Sequence, residues 1–221
     1  MASARIATYF IDGSTRYGAV TERGIVDLST HFGREYPTLR EAIAAGALAR
    51  LAEHAARRSA DHALDAIGWL PPIPAPEKII CIGVNYPDRN AEYKDGQDAP
   101  KFPSMFMRTP RSFVGHNAPL VRPRASTQLD YEGELVLVIG KAGRHIPQST
   151  ALDHIAAVTL CNEGTIRDWV RHAKFNVTQG TTPPAASAPG LSPIPANPRL
   201  PISGCRPAST ARHGRTIAPA G

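Results

Sequence analysis

Cysteine is scarce in this chain, with three residues among 221. Cys81, Cys161 and Cys205 are odd in number and widely separated, and no CxxC pair occurs. This spacing fits neither a disulfide framework nor a thiolate metal site. We therefore expect three ordinary thiols.

Long apolar runs are also missing. No stretch approaches the roughly 18 uninterrupted apolar residues that a membrane-spanning helix needs, which excludes the transmembrane class. The segment 1–12 has one basic residue, and Asp12 interrupts its apolar run. Because it lacks the long apolar region of a secretory signal, we predict a cytoplasmic protein without a membrane partner.

Acidic residues are absent from the last part of the chain. Residues 181–221 contain four arginines and nine prolines, but no lysine, acidic or aromatic residue. The other residues carry 21 basic and 19 acidic side chains, so most of the chain is nearly neutral although the whole has a net charge of +6. With no basic helix, aromatic-interleaved basic stripe or RNP-like motif, we predict no nucleic-acid partner.

The composition of residues 181–221 predicts disorder, because such a segment cannot bury enough apolar surface to offset its ordering entropy. It is either a natural disordered tail or sequence read out of frame from GC-rich DNA, which favours Pro, Ala, Arg and Gly codons. We favour the second interpretation, for a reason given below. A binding module that uses this basic, proline-rich tail is a further alternative.

Residues 1–70 are expected to form a small N-terminal α/β module. An Arg-Ile-Ala-Thr-Tyr-Phe-Ile segment followed by Asp12-Gly13 predicts an antiparallel hairpin. Thr38-Leu-Arg-Glu41 is a capping box that predicts the start of a helix, and Ala47–Arg58 shows helical apolar spacing. Residues 71–77 contain closely spaced prolines and are predicted to be a linker.

The main domain is predicted to span residues 78–180. Strand patterns dominate it, separated by long polar loops, and they are Lys78–Val84, Ser104–Arg108, Glu132–Ile139 and Ala157–Cys161. Helical patterns occur at 150–155 and 165–172. This order favours a β-rich α+β fold over alternating βαβ units.

Two glutamates stand at the start of the strand pattern 132–139. Side chains alternate faces in a strand, so Glu132 and Glu134 point the same way, about 7 Å apart along the backbone. The opposite face is apolar, and the strand is expected to be buried on both sides with its carboxylates at its mouth. Two uncompensated carboxylates there would repel each other, so a metal or basic partner is expected. Taken alone, the pattern is more often that of a solvated strand edge.

A third carboxylate, Glu163, lies where the next strand pattern gives way to a turn. It can complete an oxygen-only ligand set for Mg²⁺ or Mn²⁺, whereas the lack of clustered His and Cys disfavours zinc. The alternative is an acidic residue favoured by the dipole at a helix N-terminus. Spacing alone leaves both open.

Several ordered motifs carry a family resemblance. They are Gly83-Val-Asn-Tyr86, Phe106-Met-Arg108, Asp130-Tyr-Glu-Gly-Glu-Leu135, Ile139-Gly-Lys141 and Cys161-Asn-Glu-Gly-Thr-Ile-Arg-Asp168. Together they resemble the fumarylacetoacetate hydrolase family, and more closely its bacterial 2-hydroxyhepta-2,4-diene-1,7-dioate or 5-carboxymethyl-2-hydroxymuconate isomerase branch. The N-terminal module also resembles the small domain that precedes the catalytic domain in that branch.

The resemblance implies a mixed-sheet, barrel-like catalytic domain, usually in a homodimer, with Mg²⁺ or Mn²⁺ held by three carboxylates. By position these ligands are Glu132, Glu134 and Glu163, the last where many members have Asp. The implied enzyme is an isomerase, decarboxylase or C–C bond hydrolase of aromatic-compound catabolism. It acts on a 2-oxo or β-diketo acid by stabilising an enolate.

The resemblance also assigns roles to other residues. Many members have a His–Glu acid/base dyad, for which this sequence has Arg89 and Glu92; since arginine cannot act as a base at neutral pH, proton transfer falls to Glu92. Arg108 is expected to hold a distal substrate carboxylate, with an exposed strand residue as its alternative, and Tyr86 to donate to a substrate oxygen. Arg167 and Asp168 are expected to orient Glu163.

The family pattern breaks off at Thr178-Gln-Gly180. Family members continue with a lysine, a Gly-Pro segment and further strands, which is why we favour the out-of-frame interpretation of residues 181–221. A domain truncated near residue 180 would expose sheet edges and apolar faces. A catalytically inactive fragment is therefore the alternative to an active enzyme.

Overall fold

The computed structural model describes residues 5–83, 102, 104–169, 185–187 and 191–193. These residues form the predicted strand-rich α+β fold, with sheets that do not close into a barrel. The helices of this part of the chain are all too short or too polar to span a bilayer.

The N-terminal module contains an antiparallel sheet with strand order β3-β2-β1-β4. Its strands are β1 (Arg5–Ile11), β2 (Ser14–Thr21), β3 (Gly24–Asp27) and β4 (Gly68–Trp69). Asp12 and Gly13 have φ values of 48° and 73° at the turn between β1 and β2. Two successive positive φ angles match the twist of a tight hairpin, so the predicted hairpin is confirmed.

Three short helices cover one face of this sheet, and they are α1 (Ser29–Phe32), α2 (Leu39–Ala44) and α3 (Leu48–Ala55). The capping box is confirmed, because the Thr38 backbone N–H donates to the Glu41 carboxylate at 2.8 Å and the helix begins at the next residue. Apolar side chains of α2 and α3 pack against the sheet residues Ile6 and Tyr17 in one buried core.

The main domain begins with an antiparallel pair, β5 (Ile79–Gly83) and β6 (Ser104–Arg108). The later strands are β7 (Phe113–Val114), β8 (Leu129–Asp130), β9 (Gly133–Ile139), β10 (Ile155–Asn162), β11 (Thr165–Ile166), β12 (Ala185–Ser187) and β13 (Ser192–Pro193). Two 3₁₀ segments occur at Pro110–Ser112 and Gln148–His154. The long β9–β10 pair is antiparallel and sets Asn162 opposite Gly133.

Two local expectations are wrong. Thr165 and Ile166 were expected to be helical, but they pair with Asp130 and Leu129, so non-local pairing outweighs the local pattern. The strand β9 was expected to be buried on both faces, but its outward face is exposed. The exposed fraction is 44% for Leu135, 48% for Leu137 and 63% for Ile139. No described element covers that face.

Residues 185–187 and 191–193 lie in the segment for which composition predicts disorder, yet the structure has strands at Ala185–Ser187 and Ser192–Pro193 and an isolated bridge at Leu191. Leu191 is 1% exposed and exchanges backbone hydrogen bonds with Ile6 at 2.9 and 2.6 Å. Its side chain packs in a core that includes Val138 and Ala157. For these residues, pairing with β1 and β10 offsets the ordering entropy on which the composition argument depends.

A buried polar network supports the end of β3. Asp27 is 7% exposed, and its carboxylate accepts from the Arg16 guanidinium at 2.6 Å and from the Thr30 backbone N–H at 3.1 Å. Burial acts to raise the pKa of Asp27, but the hydrogen bonds from Arg16 and Thr30 outweigh it and hold the pKa below its usual value.

We predict that Leu191→Ala lowers the free energy of unfolding by about 2–5 kcal/mol, because it leaves a cavity between the N-terminal module and the main domain. The matched control is Leu152→Ala, at a side chain that is 45% exposed, with a loss under about 1 kcal/mol. Urea denaturation followed by circular dichroism measures both. Equal losses would show that Leu191 is not packed in the core.

We predict that Asp27→Asn lowers the free energy of unfolding by about 1–3 kcal/mol at pH 7, because Arg16 and Thr30 lose a charged acceptor. The folded pKa of Asp27 lies below its unfolded value of about 3.9, so its contribution is present above that pH and is lost as pH falls through the folded pKa. The free energy of unfolding, measured from pH 7 down to pH 3, should therefore decrease less steeply in the variant than in the parent protein.

The control for this charge is Glu53→Gln, which removes an exposed i,i+4 partner of Arg57 and should change stability little. If Asp27→Asn and Glu53→Gln have the same stability and pH dependence, the Asp27 network contributes no specific stability.

Candidate active site

Two distant segments meet where the β9–β10 pair ends. The Glu163 backbone N–H donates to the Glu132 carbonyl at 2.7 Å, and the Glu132 backbone N–H donates to the Asn162 side-chain oxygen at 3.0 Å. Because Asn162 pairs with Gly133, the residues flanking this pair lie directly opposite each other. The predicted meeting of Glu132 and Glu163 therefore follows from the register of one antiparallel pair.

Arg108, the last residue of β6, lies inside this cluster. Its Nη1 bonds to the Glu163 carboxylate, with relative side-chain exposures of 0% for Arg108 and 6% for Glu163. Its Nε donates to Ser112 Oγ at 3.2 Å, and its Nη1 also lies 3.4 Å from the Gly164 carbonyl. The exposed alternative for Arg108 is wrong, and these contacts give no support to its expected role of holding a substrate carboxylate.

A second arginine, Arg167, holds the other glutamate. Its Nη1 lies 2.6 Å from Glu132 Oε1 and its Nε lies 2.8 Å from Asp130 Oδ2. Arg167 was expected to orient Glu163, but the structure places it on Glu132 instead, because the β8–β11 pairing carries it beside Asp130. Asp168 accepts from Ser126 Oγ at 2.7 Å and so supports the loop before β8.

Glu134 completes the cluster without an arginine. It lies on β9 opposite Cys161, and within the described part of the chain no basic side chain forms an ion pair with it. Burial raises the pKa of Glu134, and the neighbouring Glu132 carboxylate raises it further.

The same surplus of negative charge affects Glu163. Burial raises the pKa of Glu163 to about 7, and Glu132 contributes in the same direction as a hydrogen-bonded neighbour, although the Arg108 guanidinium opposes both. A carboxyl whose pKa stays high beside a buried arginine lies in a site that would be stabilised by further positive charge.

Two cysteines border the carboxylates. Burial raises the pKa of both Cys81 and Cys161 to about 12, and the nearby Glu163 raises each further. Both thiols are therefore neutral at pH 7 and poor nucleophiles, in line with the expected ordinary role. Cys205 lies outside the described residues.

The carboxylates of the cluster offer the oxygen ligands that a hard divalent cation prefers. Within residues 5–83, 102, 104–169, 185–187 and 191–193, however, no three His, Cys, Asp or Glu side chains are spaced to bind one ion as they stand. Arginines contact two of the three predicted ligands. Binding an ion would require Glu132 and Glu163 to share their oxygens between arginine and metal.

Part of the site escaped sequence reasoning. Ser112, Asp130 and Asn162 each bond to an arginine or a glutamate of the cluster, but no local spacing marks them. Ser112 follows Arg108 by four residues, whereas the pairing of β8 with β11 brings in Asp130 and that of β9 with β10 brings in Asn162. Tyr86 and Glu92, expected to bind substrate and transfer a proton, lie outside the described residues.

The family model of the fumarylacetoacetate hydrolase C-terminal domain matches residues 78–196, so the match extends beyond Gly180, where the family pattern was expected to end. Among curated relatives, a mitochondrial oxaloacetate tautomerase of Xenopus laevis is 36% identical over 160 residues, covering 71% of this chain and 50% of the relative. The oxaloacetate tautomerase YisK of Bacillus subtilis is 44% identical over 108 residues, covering 47% of this chain and 36% of the relative.

Solved structures agree with the family model. Fumarylacetoacetate hydrolase from Exiguobacterium antarcticum is 30% identical with a TM-score of 0.67, covering 86% of this chain and 66% of that one. A probable 2-hydroxyhepta-2,4-diene-1,7-dioate isomerase from Mycobacterium abscessus is 26% identical with a TM-score of 0.65, covering 87% and 65%.

The chain thus spans half or less of the two curated relatives and about two thirds of these solved chains. The family match nevertheless includes every segment that builds the carboxylate cluster, from β5 to β11. On the family model, the fold and the ordered motifs, this chain belongs to the fumarylacetoacetate hydrolase family.

Proposed function

We propose that this chain carries the active site of a divalent-metal-dependent enzyme that interconverts the keto and enol forms of a 2-oxo acid. The observation that carries the proposal is the convergence of Glu132, Glu134 and Glu163 in a partly buried cluster with surplus negative charge. Two relatives named oxaloacetate tautomerases favour this reaction over decarboxylation or C–C hydrolysis, which share the enolate.

Mg²⁺ or Mn²⁺ would be held by Glu132, Glu134 and Glu163. When bound, such an ion would polarise the substrate's keto oxygen and stabilise enolate charge. Arg108 and Arg167 fix two of the three carboxylates in orientation. The neutral Cys81 and Cys161 thiols take no part in proton transfer.

The reaction moves one proton and changes no other atom. The C3–H bond of the 2-oxo acid breaks, its electron pair forms the C2–C3 double bond, and the keto oxygen gains a proton. We assign proton transfer to Glu92 and an oxygen contact to Tyr86, on the family resemblance of their positions.

We also propose a cytoplasmic homodimer. The exposed apolar side chains on β5, β6 and β9 support the dimer, because apolar surface of this kind is stabilised by a partner. These side chains are Ile80, Ile82, Met105, Met107, Leu135, Leu137 and Ile139.

We predict that the protein accelerates oxaloacetate tautomerisation with Mg²⁺ or Mn²⁺, that EDTA abolishes the activity and that re-addition of the ion restores it. Glu134→Gln should lower kcat/KM about 100-fold, because the site loses a charged metal ligand. The measurement is the ultraviolet absorbance of the enol, corrected for the rate with the free ion alone.

The matched control is Glu77→Gln, at a side chain that is 77% exposed and distant in sequence from the cluster, which should leave the rate unchanged. Full activity in EDTA would refute the metal-dependent mechanism. Activity unaffected by Glu134→Gln would remove this cluster from the reaction.

A further inference from the structure

Arg108 is the most buried charged residue of the cluster, and its role differs from that of a substrate anchor. Its side chain has no exposed surface, so it cannot touch a substrate in this conformation. We propose that Arg108 is a positioning residue that fixes Glu163 and sets the net charge of the site, so that an anionic substrate is accepted after the metal binds. This inference rests on the proposed function.

The contacts of Arg108 are those of a fixed charge. Among the described residues, its guanidinium donates to the Glu163 carboxylate, Ser112 Oγ and the Gly164 carbonyl. The guanidinium also stacks 5.3 Å from the centre of the Phe113 ring. The planar fork of arginine makes such contacts together, whereas the ammonium of lysine is a point charge and cannot replace all of them.

The charge balance explains why a second cation besides the metal is needed. With all groups ionised, the described side chains of the cluster are four carboxylates, of Asp130, Glu132, Glu134 and Glu163, and two guanidinium groups, so these side chains together carry two negative charges. A divalent ion would bring this sum to zero. Without Arg108 the loaded site would keep one negative charge and would repel a 2-oxo acid carboxylate.

Arg108 therefore has opposite effects on the two ligands. Its positive charge opposes metal binding and favours anion binding, although it contacts neither. A residue that only maintains the fold would affect both affinities in the same direction, and a residue that contacts substrate would affect only the anion.

The test compares Arg108→Gln and Arg108→Lys with the parent protein. Mn²⁺ affinity is measured by electron paramagnetic resonance without substrate, and oxalate, a planar dianion resembling an enolised 2-oxo acid, is titrated calorimetrically with Mn²⁺ present. In Arg108→Gln we expect Mn²⁺ to bind about tenfold more tightly and oxalate about tenfold more weakly. Arg108→Lys keeps the charge and should stay within about threefold of the parent for oxalate.

A second variant covers failure of Arg108→Gln to fold, which circular dichroism would reveal. Arg167→Gln removes the positive charge that pairs with Glu132, at a side chain that is 24% exposed. Like Arg108→Gln, it should strengthen Mn²⁺ binding and weaken oxalate binding. The proposal would be overturned if the variants bound both Mn²⁺ and oxalate more weakly, or if they bound oxalate more weakly with an unchanged Mn²⁺ affinity.

The outcome also separates this inference from the proposed function. If the parent binds Mn²⁺ and oxalate but does not accelerate tautomerisation, the proposed reaction fails while the affinities still decide the role of Arg108. If the parent binds no Mn²⁺, both proposals are overturned.

Discussion

The hydrogen bond from the Glu163 backbone N–H to the Glu132 carbonyl is the contact on which the site depends. It closes the end of the β9–β10 ladder and so brings together two acidic residues from separate segments. Backbone pairing of this kind is insensitive to the charges on the side chains. The fold can therefore hold carboxylates close together at a place where their own repulsion would separate them.

Two arginines offset the electrostatic repulsion among these carboxylates. Burying a charge without a partner is expensive, and removing one member of a buried pair leaves the other uncompensated. Arg108 and Arg167 each hold one glutamate, whereas Glu134 has no such partner among the described residues. The cluster is thus stable enough to form and still carries surplus negative charge on its described carboxylates.

The N-terminal module is joined to the main domain by packing as well as by the chain. Leu191 pairs with Ile6 of the first strand, and its side chain shares a core with Val138 and Ala157 of β9 and β10. This core lies on the same two strands that end at the carboxylates. Rigidity of the β9–β10 pair therefore supports both the domain contact and the position of the site.

The sequence by itself determined the features that arise from local periodicity and short motifs. It predicted the first hairpin, the capping box at Thr38 and most strands of the main domain, because strand alternation and turn chemistry act over a few residues. The family and the three glutamates came from the resemblance of the ordered motifs to known proteins. Only the tertiary structure decided which charges meet. It buried Arg108 on Glu163, moved Arg167 to Glu132 and ordered Leu191 against Ile6, because these contacts depend on strand register and on burial between segments far apart in the chain.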